Sequence, residues 1–372
     1  MKQKTVLISI NAAWNIVNFR SGLIAALRVA GYRVMALAPS DAWRGRLEAL
    51  GVEYAPLEMD KKGVSPVADL RLLARYWRAL GRMRPDVFLG YTPKPNIWGS
   101  IAAHARGIKV INNVSGLGTA FIRPGALMRI VTDLYKRAFR RSKTIFFQNE
   151  EDMALFLDRK IVRRDQARLL PGSGIDLERF QPADQTGGEE GFAFLLIARL
   201  LWDKGVGEYV EAARLVRAEA PEVRFRLVGF LDVANRTAVP RSEVEAWVAE
   251  GLIDYLGESD DVRPHVGAAG CIVLPSYREG LPRTLLEGAA MAKPLIATDV
   301  PGCRQVVNNG VNGLLCEVRD ARSLADAMLV MLRMTPAERE AMGAAGRRKV
   351  EAEYDERIAI ARYLEAIRDA LG

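Results

Sequence analysis

Apolar runs of strand length alternate with helix-patterned stretches along the whole of this chain, and that alternation leaves few folds open. In the first half the runs fall at 6–10, 34–38, 52–55, 86–91, 109–114 and 144–148. Between them, apolar residues recur at helical spacing. Strands that are each covered by a helix before the next strand begins belong to a parallel α/β sheet. Residues 181–191 (QPADQTGGEEG) form the most linker-like stretch, and beyond it the alternation restarts with runs at 192–198, 223–228, 253–256, 271–274, 295–298 and 313–316. At 372 residues the chain exceeds one ordinary core. The expectation is two α/β domains, 1–183 and 184–372, with the last helix a candidate to return to the first.

Charge separates the halves. Residues 1–180 carry 30 Lys and Arg against 15 Asp and Glu, and the remainder carries 23 against 30. A basic half points to an anionic partner, either nucleic acid or a membrane surface. No nucleic-acid motif accompanies the charge, which leaves the membrane. Two segments carry it in amphipathic form. In 66–84, Arg71, Arg75, Arg78 and Arg82 make one stripe opposite Leu72, Leu73, Tyr76, Trp77, Leu80 and Met83; in 121–141, Arg129, Lys136, Arg137 and Arg140 accompany Leu127, Met128, Ile130 and Val131. The alternative for both is a solvated back on a helix packed against the sheet. No apolar run reaches membrane-spanning length, and the first residues pass straight into a strand pattern without a signal-peptide cleavage site. The expected location is the cytoplasm, peripheral on the inner membrane face. Cys271, Cys303 and Cys316 lack metal-ligand spacing and read as small buried hydrophobes.

The chemistry gathers around 271–297 (CIVLPSYREGLPRTLLEGAAMAKPLIA). A strand-length run breaks at Pro275, Glu279-Gly280-Leu281-Pro282 forms a loop, and a helix resumes with Pro282 expected in its first turn. Free N–H groups at such a helix start suit a phosphate. Glu279 in the loop and Glu287 within the helix are either functional carboxylates or a solvated loop Glu and a helix-surface Glu. Arg199 and Lys204 follow the first strand of the second half, in ARLLWDKG, where two cations can grip a diphosphate from two sides; the alternative is two unpaired surface cations. A helix is expected from Lys204 to 220.

With ARLLWDKG at 198–205, VG at 228–229, LPSYREGLPRTLLEGAAMAKPLIATD at 274–299, PG at 301–302 and NGVNGLL at 309–315, the chain resembles retaining glycosyltransferase family 4, of the GT-B fold. The fold this implies is two Rossmann-like parallel-sheet domains facing a cleft. The segments IARLLWDKGVGEYVEAA and LPSYREGLPRTLLE look most like enzymes that add N-acetylhexosamines, such as GalNAc or GlcNAc, to undecaprenyl-diphosphate-linked sugars. The resemblance implies a UDP-sugar donor, a polyprenyl-diphosphate-linked acceptor and no metal. Arg199 and Lys204 would neutralise the departing diphosphate, Glu287 would accept the ribose hydroxyls, and Glu279 would lie near the transferred sugar. Backbone amides at Gly280, Leu281 and Arg283, beside Pro282, would hold sugar or phosphate oxygens, and the base would lie near Gly229. Retention in this family has no settled protein nucleophile, and same-face attack is the usual proposal.

The first half departs from the family pattern. Many relatives place a His where this chain has Ser115 and Gly116, which shifts sugar contacts to the backbone of that loop. His104 and His265 are expected to be structural. The residues 11–20 read as a polar loop in which Asn11, Asn15 and Asn18 either bind acceptor sugar or cap the following helix. Lys94, between two prolines, is a candidate for the acceptor diphosphate or a surface lysine on a stiff loop. The remaining alternatives are a transferase with another donor sugar or a soluble acceptor, a nucleotide-sugar epimerase, and a non-catalytic binding protein.

Overall fold

A computed structural model describes residues 3–59, 65–116, 126–182, 191–232 and 235–372. The expected boundary at 183/184, the loop 117–119 and the start of the second basic segment, 121–125, lie outside the described residues. Two compact units are present: Met1–Gly174 with Glu356–Gly372, and Ile175–Asp355.

The first unit runs β1 (Thr5–Ser9), α1 (Ala13–Val29), β2 (Arg33–Ala38), α2 (Arg44–Ala49), β3 (Glu53–Pro56), α3 (Pro66–Met83) and β4 (Val87–Tyr91). A π-helical turn, Pro95–Gly99, leads into α4 (Ser100–Ala105), then β5 (Lys109–Val114), α5 (Ala126–Phe139), β6 (Thr144–Phe147), α6 (Glu150–Asp158) and β7 (Ala167–Leu169). Its sheet has the order β3-β2-β1-β4-β5-β6-β7, and all pairs are parallel. A sheet covered on both faces needs strands that are apolar on both sides. In β1, Val6 and Ile8 pack with Leu23, Ile24 and Leu27 of α1, whereas Leu7 faces Tyr76 and Leu80 of α3 and Phe88. Each such burial contributes roughly 2 kcal/mol. The final helix α14 (Glu356–Leu371) belongs to this unit and buries Ala359, Tyr363 and Ile367 in the α1 face of the core.

The second unit contains β8 (Ala193–Ile197), α7 (Val206–Arg217), β9 (Arg224–Val228), α8 (Arg241–Ala249), β10 (Asp254–Tyr255), α9 (Arg263–Gly267) and β11 (Cys271–Leu274). It continues with α10 (Arg283–Ala290), β12 (Leu295–Thr298), α11 (Cys303–Val306), β13 (Gly313–Cys316), α12 (Ala321–Arg333) and α13 (Pro336–Glu353). The strand order is β10-β9-β8-β11-β12-β13, again parallel throughout. Alternation is again visible: Phe194, Leu196 and Val273 pack on the α7 and α12 side, Leu195, Ile197 and Leu274 on the α10 side. The chain thus folds as two Rossmann-like parallel sheets of seven and six strands, the GT-B type expected.

Strand order also says where ligands go. In doubly wound sheets they bind outside the carboxyl ends of the strands where the order reverses. That point lies between β1 and β4 in the first unit and between β8 and β11 in the second.

Two local expectations are corrected. The segment 11–20 is not a loop: α1 begins at Ala13 and contains Asn15 and Asn18. None of the three asparagines caps it. Ala12 holds the N-cap position, and the Asp41 carboxylate, arriving from the end of β2, accepts from the N–H groups of Ala13 (2.9 Å) and Trp14 (3.4 Å). In the second unit, Lys204 ends a 3-10 turn, Trp202–Lys204, and α7 starts only at Val206. Gly205 between them has φ +72°, a left-handed backbone that ends the turn.

Candidate active site

The loops after β8 and β11 lie side by side because their strands are paired, Cys271 opposite Phe194 and Ile272 opposite Leu195. Backbone contacts then lock them. The Asp203 carbonyl accepts from the Tyr277 N–H (3.0 Å) and the Ser276 hydroxyl (3.3 Å). Gly205 passes so close to the Pro275 carbonyl that a Cβ would sit 2.0 Å from its oxygen, so no other residue fits there. Gly229, after β9, is equally close to the Ala198 carbonyl, at 1.8 Å for a Cβ, which brings the 228–230 turn against the base of the Arg199 loop.

This register joins Lys204 and Glu279 across 75 positions of sequence. The Lys204 ammonium donates to the Glu279 carboxylate, with the two side chains 19% and 13% exposed. Both are shielded but reachable, which is the condition in which an ion pair can exchange its partner for a ligand. Arg199 is exposed, and among the described residues no carboxylate pairs with it. The Cys303 thiol is pushed well above its ordinary value by burial, with the Glu279 charge acting in the same direction. All three cysteines are buried and free, as small apolar residues would be.

Helix α10 begins at Arg283, so Pro282 is its N-cap and not a residue of its first turn. Proline offers no side-chain acceptor there, and no side chain caps the helix. The positive end of its dipole faces the loop Glu279-Gly280-Leu281, where an anion is favoured. The Thr284 hydroxyl donates to the Ile197 carbonyl (3.0 Å), which ties that helix start to the end of β8. One turn further, the Arg283 guanidinium donates to the Glu287 carboxylate at 2.9 Å, an i,i+4 pair with side chains 22% and 12% exposed. Burial raises the Glu287 carboxyl above its ordinary value; Arg283, and Arg179 more weakly, pull it back down. The Asp261 carboxylate, gripped by the Arg263 guanidinium, is held down at about 2 and so supplies a fixed negative charge near Glu287.

Of the donor-side residues expected from sequence, Lys204 meets Glu279 and Arg283 meets Glu287, while Arg199, Gly280, Leu281 and Pro282 sit on the same two strand-end loops and Gly229 follows the neighbouring strand β9. Sequence reasoning passed over Tyr277, whose hydroxyl donates to Glu208 of α7 at 2.6 Å and whose ring lies 4.5 Å beneath the Arg319 guanidinium. No short motif announces that set, because its members come from two separate loops and the first turn of α7.

In the first unit, Asn11 and Lys94 follow β1 and β4, the two strands at the reversal. Lys94 is not a solvated loop lysine. It pairs with Asp69 of α3 at 2.9 Å, each side chain 17% exposed. Asn18 donates to the Trp14 carbonyl (2.9 Å). Ser115 is exposed, and Gly116 has φ +137°. His104 bonds through Nε2 to the Ala138 carbonyl (3.0 Å), and burial lowers its pKa, as suits a structural imidazole. Among the described residues, no three His, Cys, Asp or Glu side chains form a group that could hold a metal ion.

Known proteins resemble this chain over most of its length. Residues 17–172 match the family model described as Glycosyl transferase 4-like domain, and residues 191–334 match Glycosyl transferases group 1. A curated relative, the N,N'-diacetylbacillosaminyl-diphospho-undecaprenol alpha-1,3-N-acetylgalactosaminyltransferase of Campylobacter jejuni, is 27% identical over 95% of this chain and 96% of its own. A glycosyltransferase of Rickettsia africae superposes with a TM-score of 0.80 at 18% identity, covering 100% of this chain and 99% of that one. HepE of Anabaena, solved in complex with UDP and glucose, gives 0.78 at 16%, covering 99% and 100%.

Proposed function

This chain belongs to the glycosyltransferases that join a Glycosyl transferase 4-like domain to a Glycosyl transferases group 1 domain, and from that premise we propose a specific reaction for it. The enzyme moves a sugar, an N-acetylhexosamine such as GalNAc or GlcNAc, from a UDP-sugar to an undecaprenyl-diphosphate-linked glycan, with retention at the anomeric carbon and without a metal. The observation that carries the reading is the Lys204–Glu279 pair at the β8/β11 reversal, with the exposed Arg199 on the same loop. The acceptor class and the sugar are supported by likeness to the Campylobacter jejuni enzyme, whose name specifies both.

As the bond from the anomeric carbon to the phosphate oxygen breaks, negative charge grows on the departing diphosphate. Arg199 and Lys204 neutralise it, in the place a divalent cation takes in other transferases, and the first N–H groups of α10 with the amides of Gly280, Leu281 and Arg283 add dipoles aimed at the same charge. Lys204 must release Glu279 to do so. The freed carboxylate then faces the developing positive charge on the sugar and accepts from its hydroxyls, an electrostatic role and not that of a nucleophile. Glu287 accepts the ribose hydroxyls once Arg283 turns toward phosphate, and the base lies against the turn after Gly229. The acceptor hydroxyl attacks on the face from which the diphosphate leaves, and a leaving phosphate oxygen takes its proton.

Asn11, Asn15 and Asn18 contact the acceptor sugar, the backbone of Ser115 and Gly116 contacts the donor sugar, and Lys94 exchanges Asp69 for the acceptor diphosphate. Peripheral attachment to the inner membrane face is supported by α3. There Arg71, Arg75, Arg78 and Arg82 are exposed beside the outward Val67 (58% exposed), Leu70 (62%) and Trp77 (43%). No helix among the described residues is long and apolar enough to cross a membrane.

Incubation of the protein with UDP-GalNAc or UDP-GlcNAc and a short polyprenyl-diphosphate-linked N-acetylhexosamine, with and without EDTA, tests the reading. A product one hexosamine longer under both conditions supports it; activity abolished by EDTA and restored by a divalent ion removes the metal-independent part. Transfer to a free sugar with none to the lipid-linked acceptor would favour the soluble-acceptor alternative.

A further inference from the structure

We propose that Tyr277 is a positioning residue for the diphosphate grip, holding the Lys204 loop at its working distance from Glu279 when their ion pair opens. The inference rests on the donor-site reading above. If Lys204 exchanges Glu279 for phosphate, the ion pair between the loop after β8 and the tip of the loop after β11 is lost at the moment when their spacing matters most.

Tyr277 is placed to carry that load. It lies two residues before Glu279, and its N–H donates to the carbonyl of Asp203, the residue before Lys204, at 3.0 Å. Its hydroxyl donates to Glu208, in the first turn of α7 and four residues after Lys204, at 2.6 Å. Its ring lies under Arg319 at 4.5 Å, and Arg319 has φ +60°, an uncommon conformation for a residue other than glycine; the loop between β13 and α12 holds it there. Asp203 is anchored in turn, accepting from the Thr237 hydroxyl at 3.1 Å. One half-buried phenol thus bridges the segments on both sides of Lys204 to the segment that ends in Glu279. Burial and the bond to Glu208 push its pKa up to about 12, so the hydroxyl remains a donor throughout the working pH range. None of these partners is Lys204 or Glu279, so the bridge survives when that pair opens.

Tyr277→Phe removes the hydroxyl and keeps the ring under Arg319. Steady-state transfer and calorimetric binding of UDP, measured on wild type, Tyr277→Phe, Glu208→Ala and Glu208→Gln, separate positioning from folding. The expected result is that Tyr277→Phe and Glu208→Ala lose about tenfold or more in kcat, since small misplacements of charge cost most in the transition state. KM for the donor changes less than about threefold, and UDP binds at one site per chain in every variant, so the folded population is intact. Glu208→Gln, which keeps an acceptor for the phenol, recovers most of the rate lost in Glu208→Ala. Wild-type kcat in Tyr277→Phe overturns the proposal, as does a loss matched by an equal fall in UDP stoichiometry. A wild-type protein that binds no UDP overturns the donor-site reading itself, and the positioning role with it.

Discussion

The Lys204 ammonium and the Glu279 carboxylate form an ion pair between the loop that follows β8 and the loop that follows β11, each side chain less than one-fifth exposed. Removing one member of a shielded pair leaves the other's charge uncompensated, whereas removing both does not. Lys204→Ala should therefore lower stability by about 2 kcal/mol in urea unfolding, and the double variant Lys204→Ala, Glu279→Gln should regain most of that loss. Additive losses would show that the pair is not coupled in the ligand-free protein. Both variants should be inactive in transfer, because the double variant restores stability and not the grip.

Arg199 should behave in the opposite way. It is exposed and pairs with no carboxylate among the described residues, so Arg199→Ala should change stability by less than about 0.5 kcal/mol. Its loss should nonetheless lower kcat about a hundredfold or more, the scale seen when a group stabilising transition-state charge is removed. Full turnover in the variant would take Arg199 out of the diphosphate site.

Glu287 gives a pH signature. Its carboxyl is raised in the folded protein by burial, so the native state prefers the protonated form. Its contribution to stability is present below the unfolded carboxyl pKa and is lost as pH rises through the raised folded value. Glu287→Gln, which is always neutral, should match wild type in thermal unfolding near pH 4 and exceed it near pH 8, while UDP affinity falls. A variant that is less stable at pH 8 than at pH 4, relative to wild type, would mean that the Arg283 pair outweighs the burial.

The face of α3 is open to direct test with vesicles containing phosphatidylglycerol. Each Arg near an anionic surface contributes about 1 kcal/mol, so replacing Arg71, Arg75 and Arg78 together by Ala should weaken binding about a hundredfold at low salt. Leu70→Glu should weaken it further, while melting should be little changed, since these side chains are exposed. Wild-type protein that stays with the supernatant at low salt would favour a solvated helix back.

Much of this arrangement is legible before any coordinates. The doubly apolar strands are readable because burial on both faces demands them, and Lys204 and Glu279 are readable as candidate site residues because each follows a strand-length run; that they pair depends on β8 lying beside β11. Long-range capping is less legible. The start of α1 at Ala13 depends on Asp41, 28 residues away, so the segment 11–20 looks like a polar loop until that carboxylate is placed. Lys94 resembles a solvated lysine between prolines until Asp69 arrives from α3. Tyr277 escapes notice for the same reason: its partners Glu208 and Arg319 lie 69 residues before it and 42 after it, with no spacing rule to join them.

The most direct test of the central claim is the anomeric configuration of the product made from UDP-GalNAc or UDP-GlcNAc and a polyprenyl-diphosphate-linked N-acetylhexosamine, read from the proton coupling at the new linkage. Transfer with retention predicts an α-linked hexosamine on the lipid-linked acceptor. A β-linked product, or none from either donor, would contradict it.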